Sequence, residues 1–124
     1  MPLTILVADD DPTFTLLVAT ALRRDGYAVV TAVDAMQAFR ASMKNAPAAM
    51  ILDVQMPGGT GMDVIKRAKA SNLTVHIPII VVSSLSDVTL PDRVRAMGAD
   101  VFLPKPVDVD LLRSELKRLL EPPK

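Results

Sequence analysis

The stretch Met50-Ile51-Leu52-Asp53-Val54-Gln55-Met56-Pro57 decides how the chain is read, because an apolar run stops there at a single carboxylate and gives way to Pro57, Gly58, Gly59 and Gly61. From Ala48 to Leu52 the run is continuous rather than alternating, the pattern of a strand buried on both faces of a parallel sheet. Asp53 therefore falls at the carboxyl end of a central strand, the edge at which ligands gather in open α/β sheets. An acid beside Gly and Pro can also serve only as a turn cap, so the surroundings must decide its role.

Outward from that strand the same unit recurs. Leu3 to Ala8 is a first apolar run, broken by Asp9, Asp10 and Asp11. Asp11 followed by Pro12 is a helix start, with the acid as N-cap and proline at the first helical position; the helix runs to about Asp25 and Gly26 stops it. Tyr27 to Ala32 is a second strand, and Asp34 heads a second helix in which Met36, Phe39 and Met43 recur at helical spacing, up to Pro47. Beyond Asp53 a helix is expected from Gly61 to about Ser71, with Met62, Ile65, Ala68 and Lys69 along one side, and then a buried strand from Ile77 to Val82. Proline inside a helix costs about 3 kcal/mol, so the fourth helix is predicted to start late, with Leu90 near its cap and Pro91 in its first turn. Gly98 ends it, Val101 to Leu103 is a short last strand, and Asp108 caps a final helix to about Leu120 through Val109, Leu112, Leu116 and Leu119. Five strand-helix alternations with short connections predict an α/β fold: a doubly wound, five-stranded parallel sheet of flavodoxin-like order 2-1-3-4-5, with helices on both faces. Residues 1–120 form the domain, and 121–124 a tail or the start of a linker.

Composition narrows the function. With 14 basic and 14 acidic side chains the chain has no net charge, which disfavours a direct nucleic-acid partner. It has no cysteine, hence neither disulfides nor thiolate metal sites. The first apolar run is too short for a membrane span and lacks the basic start of a signal peptide, so a cytoplasmic protein is expected.

In the 2-1-3-4-5 order, the carboxyl ends of strands one, three, four and five lie side by side, bringing Asp9, Asp10, Asp53, Ser83 and Lys105 together. Carboxylates that close raise the pKa of at least one of them unless a cation sits among them, and oxygen ligands without His or Cys suit Mg²⁺. A lysine and a hydroxyl facing the acids are what a phosphoryl group on one of them requires. On these residues the chain resembles, over essentially its whole length, the receiver domain of bacterial response regulators. The resemblance implies that Asp53 in ILDVQMPG is the phosphoacceptor, and that Asp9 and Asp10 in ILVADDDP hold Mg²⁺ together with Asp53 and the backbone carbonyl of Gln55. It further implies that Ser83 in IIVVSS is the switch hydroxyl, Lys105 in FLPKPV the phosphate-pairing lysine and Phe102 the switch aromatic, with a cis Lys105-Pro106 bond.

The departures are informative. Where such domains usually read MPGMDG, this chain has Met56-Pro57-Gly58-Gly59-Thr60-Gly61, losing an acid, gaining a glycine and predicting a looser loop. Ser83 replaces the commoner threonine and Phe102 the commoner tyrosine. Leu85, two residues past Ser83, is apolar where polar residues are frequent, which predicts slow loss of the phosphoryl group. Asp11 reads as a cap rather than a ligand, His76 as a surface-loop residue, and the seven methionines as core filler. The glycines match no phosphate-loop pattern.

The reading is therefore a phosphorylation-controlled switch, not an enzyme in its own right. Its donor would be a phosphohistidine on a sensor histidine kinase or a histidine phosphotransfer protein. Its readout face would be the fourth helix, last strand and fifth helix around Arg93, Met97, Val101 and Arg113, passing the signal to a downstream effector protein or to a domain after Pro123 of a longer regulator. The alternative is a receiver-like module that signals by binding alone, against which the intact acidic, hydroxyl and lysine set argues. An aspartate-nucleophile phosphatase would want an acid where Gln55 stands, and a flavin site more than 3% aromatic residues.

Overall fold

The computed structural model describes residues 2–56 and 59–121. Its elements are β1 (Thr4–Ala8), α1 (Pro12–Arg24), β2 (Ala28–Ala32), α2 (Ala35–Asn45), β3 (Ala49–Asp53), α3 (Gly61–Lys69), β4 (Ile79–Ser83), α4 (Leu90–Met97), β5 (Val101–Pro104) and α5 (Val109–Leu120). The five strands form one parallel sheet in the order β2-β1-β3-β4-β5, as the alternation of elements predicts. Between β3 and α3, Gln55–Met56 pairs with Gly59–Thr60 in a short antiparallel ribbon.

Because successive strand residues point to opposite faces, each buried strand feeds two cores. Leu6, Met50, Leu52 and Val81 pack on the side of α2, α3 and α4 with Ala38, Ile65 and Val94. Ile5, Ile51, Ile80 and Val82 pack on the side of α1 and α5 with Phe14, Val18, Leu112 and Leu116. This two-sided burial is why the central strands read as continuous apolar runs.

The helix starts follow the capping chemistry. Asp11 accepts from the Thr13 N–H (3.0 Å), Asp34 from that of Gln37 (2.7 Å) and Asp108 from that of Leu111 (3.1 Å). Each such cap contributes about 1 kcal/mol. α4 begins at Leu90 with Pro91 in its first turn, as expected. Thr60 forms a reciprocal capping box with Asp63 at the start of α3, which the sequence reading did not anticipate.

Three expectations are corrected. α3 ends at Lys69, two residues short of the expected end near Ser71; Thr74 Oγ1 donates to the Ala68 carbonyl in its last turn (2.7 Å), and Lys69 Nζ donates to the carbonyls of Val75 and Ile77 in the segment that follows (3.0 and 3.2 Å). α2 turns Ala35, Ala38 and Ser42 to the sheet and leaves Met36 and Met43 exposed, so not all methionines fill the core. Small residues let that helix sit close, which outweighs the hydrophobicity of the methionines. Arg113 does not face the α4 side, since its guanidinium grips Asp25 at the end of α1 through two hydrogen bonds of 2.7 and 2.6 Å.

That grip is testable by pH. The hydrogen bond from Arg113 holds the Asp25 carboxyl below its ordinary range. A carboxylate depressed by folding contributes stability that is present above its unfolded pKa and lost as pH falls through its folded pKa. Arg113→Met is expected to unfold at lower urea than wild type at neutral pH, and the gap is expected to close on acidification below the ordinary aspartate range. A gap unchanged by acid would assign the loss to packing of the Arg113 stem instead.

Candidate functional site

Strand register assembles the site. Ala8 of β1 lies level with Leu52 of β3, so Asp9, the next residue, stands beside Asp53. On the other side Val82 of β4 is level with Asp53, which puts Ser83 one step beyond it. Ser83 in turn is level with Pro104 of β5, and Lys105 follows. The parallel sheet thus delivers two acids, a hydroxyl and a lysine to one edge from residues far apart in sequence.

Lys105 Nζ lies between the acids, 2.7 Å from Asp9 Oδ2 and 3.2 Å from Asp53 Oδ2. The same ammonium sits 4.6 Å from the centroid of the Phe14 ring. Asp9 and Asp53 are only 1% and 5% exposed, whereas Asp10 is exposed. The second oxygen of each buried acid is occupied by backbone: Asp9 Oδ1 accepts from the Asp11 N–H (2.9 Å) and Asp53 Oδ1 from that of Gln55 (3.0 Å). Burial pushes the Asp9 carboxyl above its ordinary range; hydrogen bonds from Lys105 and the Asp11 N–H partly offset this, and the Asp53 charge adds to it. Repulsion between acids, the cause expected from sequence, is therefore secondary to burial. For Lys105 burial acts downward, but the Asp9 hydrogen bond and the two carboxylate charges outweigh it and the net shift is upward.

Carboxylate oxygens of Asp9, Asp10 and Asp53 lie within 4.8 Å of one another. An all-oxygen set with two buried ligands and one facing solvent fits Mg²⁺, which binds through few carboxylates and keeps several waters. Ser83 is buried, its Oγ accepting from the Leu85 N–H (3.0 Å) while its carbonyl accepts from the Lys105 N–H (2.8 Å). Phe102, next to Leu103 on β5, is half-buried against the core on the α4 side. The Lys105-Pro106 bond is cis.

The chain beyond Asp53 doubles back tightly. The Gly61 N–H donates to the Val54 carbonyl (3.0 Å), and any Cβ at Gly61 would collide with the Asp53 carbonyl oxygen, so glycine is required. The looser loop expected from Gly58 falls on Pro57 and Gly58, outside the described residues. Leu85 is exposed and His76 lies on the surface, as expected.

Asp9, Asp10, Asp53 and Lys105 lie together in space, and strand register sets Ser83 at the same edge. The structure also adds one that the sequence reading missed: Phe14, in the first turn of α1, whose ring supports the lysine. The available signal was its place three residues after the Asp11 cap, which sends a helix's first-turn side chain back over the acidic strand end.

Comparison with known proteins agrees with this geometry. The family described as the response regulator receiver domain matches residues 5–117. The transcriptional regulatory protein PrrA of Mycobacterium tuberculosis is 37% identical over 118 residues, covering 94% of this chain and 49% of that protein. The phosphate regulon transcriptional regulatory protein PhoB of Pseudomonas aeruginosa is 32% identical over 117 residues, covering 94% and 51%. The chain thus spans about half the length of the curated relatives it matches. Among solved structures, the chemotaxis response regulator CheY4 of Vibrio cholerae superposes with a TM-score of 0.89 at 28% identity, covering 97% of this chain and all of that one. With a family match over nearly its full length and the same fold in its relatives, the chain belongs to the response regulator receiver domains of two-component signal transduction.

Proposed function

We propose that the chain is a phosphorylation-dependent switch in which Asp53 accepts a phosphoryl group from a phosphohistidine on a sensor histidine kinase or a histidine phosphotransfer protein. The observation that carries this reading is the Lys105 ammonium set between Asp9 and Asp53 at a solvent-facing strand edge. Asp53 Oδ2 attacks phosphorus in line, the O–P bond forms as the N–P bond breaks, and the electron pair returns to the donor imidazole. Asp9, Asp10, Asp53 and the backbone carbonyl of Gln55 would hold Mg²⁺, whose charge, when bound, offsets that developing on the phosphoryl oxygens. Lys105 is already within reach of those oxygens. Ser83 would donate its hydroxyl proton to them while its Oγ, which accepts from the Leu85 N–H, carries the start of the β4–α4 connection inward with it. Phe102 follows into the space behind, biasing two conformations of the same chain.

Readout is assigned to the α4-β5-α5 face. Of the residues expected there, Val101 is buried, Arg113 is held by Asp25, and Arg93 reaches Asp87 (3.2 Å) and the Met62 sulfur on α3 (3.9 Å), so Phe102 and Met97 are the better candidates. The recipient is a partner protein or, as the doubled length of the curated relatives allows, a further part of the same polypeptide. The chain's chemistry is confined to gaining and losing its own phosphoryl group, and none of the helices described is long and apolar enough to cross a membrane.

Incubation with Mg²⁺ and acetyl phosphate is expected to add the mass of one phosphoryl group, and the gain is expected to vanish with a chelator and in Asp53→Ala. Addition that persists in Asp53→Ala would move the site elsewhere, and no addition to a protein that binds Mg²⁺ would favour a module acting by binding alone. Leu85 presents an apolar side chain beside Ser83, and Leu85→Glu is expected to shorten the phosphoryl lifetime several-fold by placing a group that can orient water. An unchanged lifetime, followed by mass or radiolabel decay, would contradict this role.

A further inference from the structure

A second surface lies away from Asp53, on the face that α2 and α3 share. A furrow of about 420 Å³ runs between them, floored by Ala35 and Val64 and walled by Met36, Phe39 and Arg67. Met36 and Phe39 line its α2 flank and Met43 continues their helical spacing beyond it along α2; Met36 is 56% and Met43 39% exposed. Arg67 closes the other side with its guanidinium 5.6 Å from the Phe39 ring centroid.

Basic side chains outnumber acidic ones around the furrow. Arg40, Lys44, Lys66 and Arg67 are all exposed, and among the described residues none of them has a carboxylate within ion-pair distance. α2 contains no acid at all. The sole acid of α3, Asp63, also lines the furrow, but its Oδ2 accepts from the Thr60 N–H (2.9 Å) in its capping box. A chain with no net charge has therefore gathered four unpaired cations around an exposed apolar stripe.

We infer that the α2–α3 furrow is a docking site for an amphipathic helix of a partner protein, with apolar residues on one face and Asp or Glu on its flanks. An apolar helix stripe seated between two helices would cover Met36, Phe39 and Met43, the helix-in-groove mode of recognition. Its acids would meet Arg40 and Lys66 on opposite rims, where opposite charge steers encounter and sets orientation. The concave shape favours a helix over an anionic bilayer: Phe39 is half-buried with the Arg67 guanidinium over its ring, and a flat lipid surface would leave the furrow between α2 and α3 unfilled. Methionines at the contact suit a partner whose apolar residues vary. This inference does not depend on phosphorylation of Asp53.

The test uses the intact chain and a designed helical peptide with a Leu stripe flanked by Glu, alongside its Glu→Lys counterpart and phosphatidylglycerol vesicles. Methyl and amide NMR signals are followed at low and high salt. The Glu peptide is expected to shift Met36 and Met43 methyls and the amides of α2 and α3, with affinity falling as salt rises. The exposed-residue double variant Arg40→Glu/Lys66→Glu is expected to weaken that peptide by about tenfold and to strengthen the Lys peptide, without a change in unfolding midpoint large enough to signal misfolding. Met36→Ser, which removes apolar contact without adding charge, is expected to weaken the Glu peptide at low and at high salt alike. Absence of shifts, shifts mapping to another face, equal binding of both peptides, or perturbation of the same methyls by vesicles instead would each overturn the proposal.

Discussion

The ammonium of Lys105 held between Asp9 and Asp53 is the interaction on which the rest of this site depends. Two carboxylates almost fully removed from water cost several kcal/mol each unless they are paired and hydrogen-bonded. One lysine serves both, and each acid has a backbone N–H on its other oxygen. The arrangement is satisfied in hydrogen bonds yet short of positive charge, since three acids share one cation. A surplus of negative charge at a solvent-facing edge is what a divalent ion relieves, and what a phosphoryl group would worsen without one.

The sheet makes this possible. Parallel register brings the ends of neighbouring strands to within one residue of each other, so Asp53 and Ser83, the last residues of β3 and β4, and Asp9 and Lys105, the first residues after β1 and β5, come to one edge with no dedicated loop to position them. Burial of both sheet faces holds the strands in place up to that edge, where the connections to the helices begin. Ser83 stands at that boundary: its carbonyl is fixed to Lys105, and its hydroxyl is bonded to the start of the β4–α4 connection. On the proposed reading, a phosphoryl group at Asp53 that accepts from that hydroxyl would pull on the start of the β4–α4 connection rather than on the core.

How much of this the sequence could carry follows from which interactions are local. Strand runs ending in Asp9, Asp53 and Ser83, the caps Asp11, Asp34 and Asp108, and the late start at Pro91 all depend on adjacent residues, and all were readable. The strand order then brought the site together without knowledge of contacts. What escaped was set by packing at a distance. Which side of α2 meets the sheet depends on how closely small residues can approach, so the helical spacing of Met36 and Met43 points to a core face that Ala35, Ala38 and Ser42 occupy instead. Arg113 was placed on a readout face because its partner, Asp25, is 88 residues away. Phe14 under Lys105 is a tertiary contact of the same kind.

The most direct measurement of the central claim is the Mg²⁺ titration of the side-chain carboxyl ¹³C signals of the aspartates. If the strand-end acids form one site, the Asp9, Asp10 and Asp53 signals move together, saturate at one ion per chain and share a single dissociation constant, while those of Asp25 and Asp34 stay still. Movement of Asp10 alone, different midpoints for Asp9 and Asp53, or no saturable change would contradict a shared site at the strand ends.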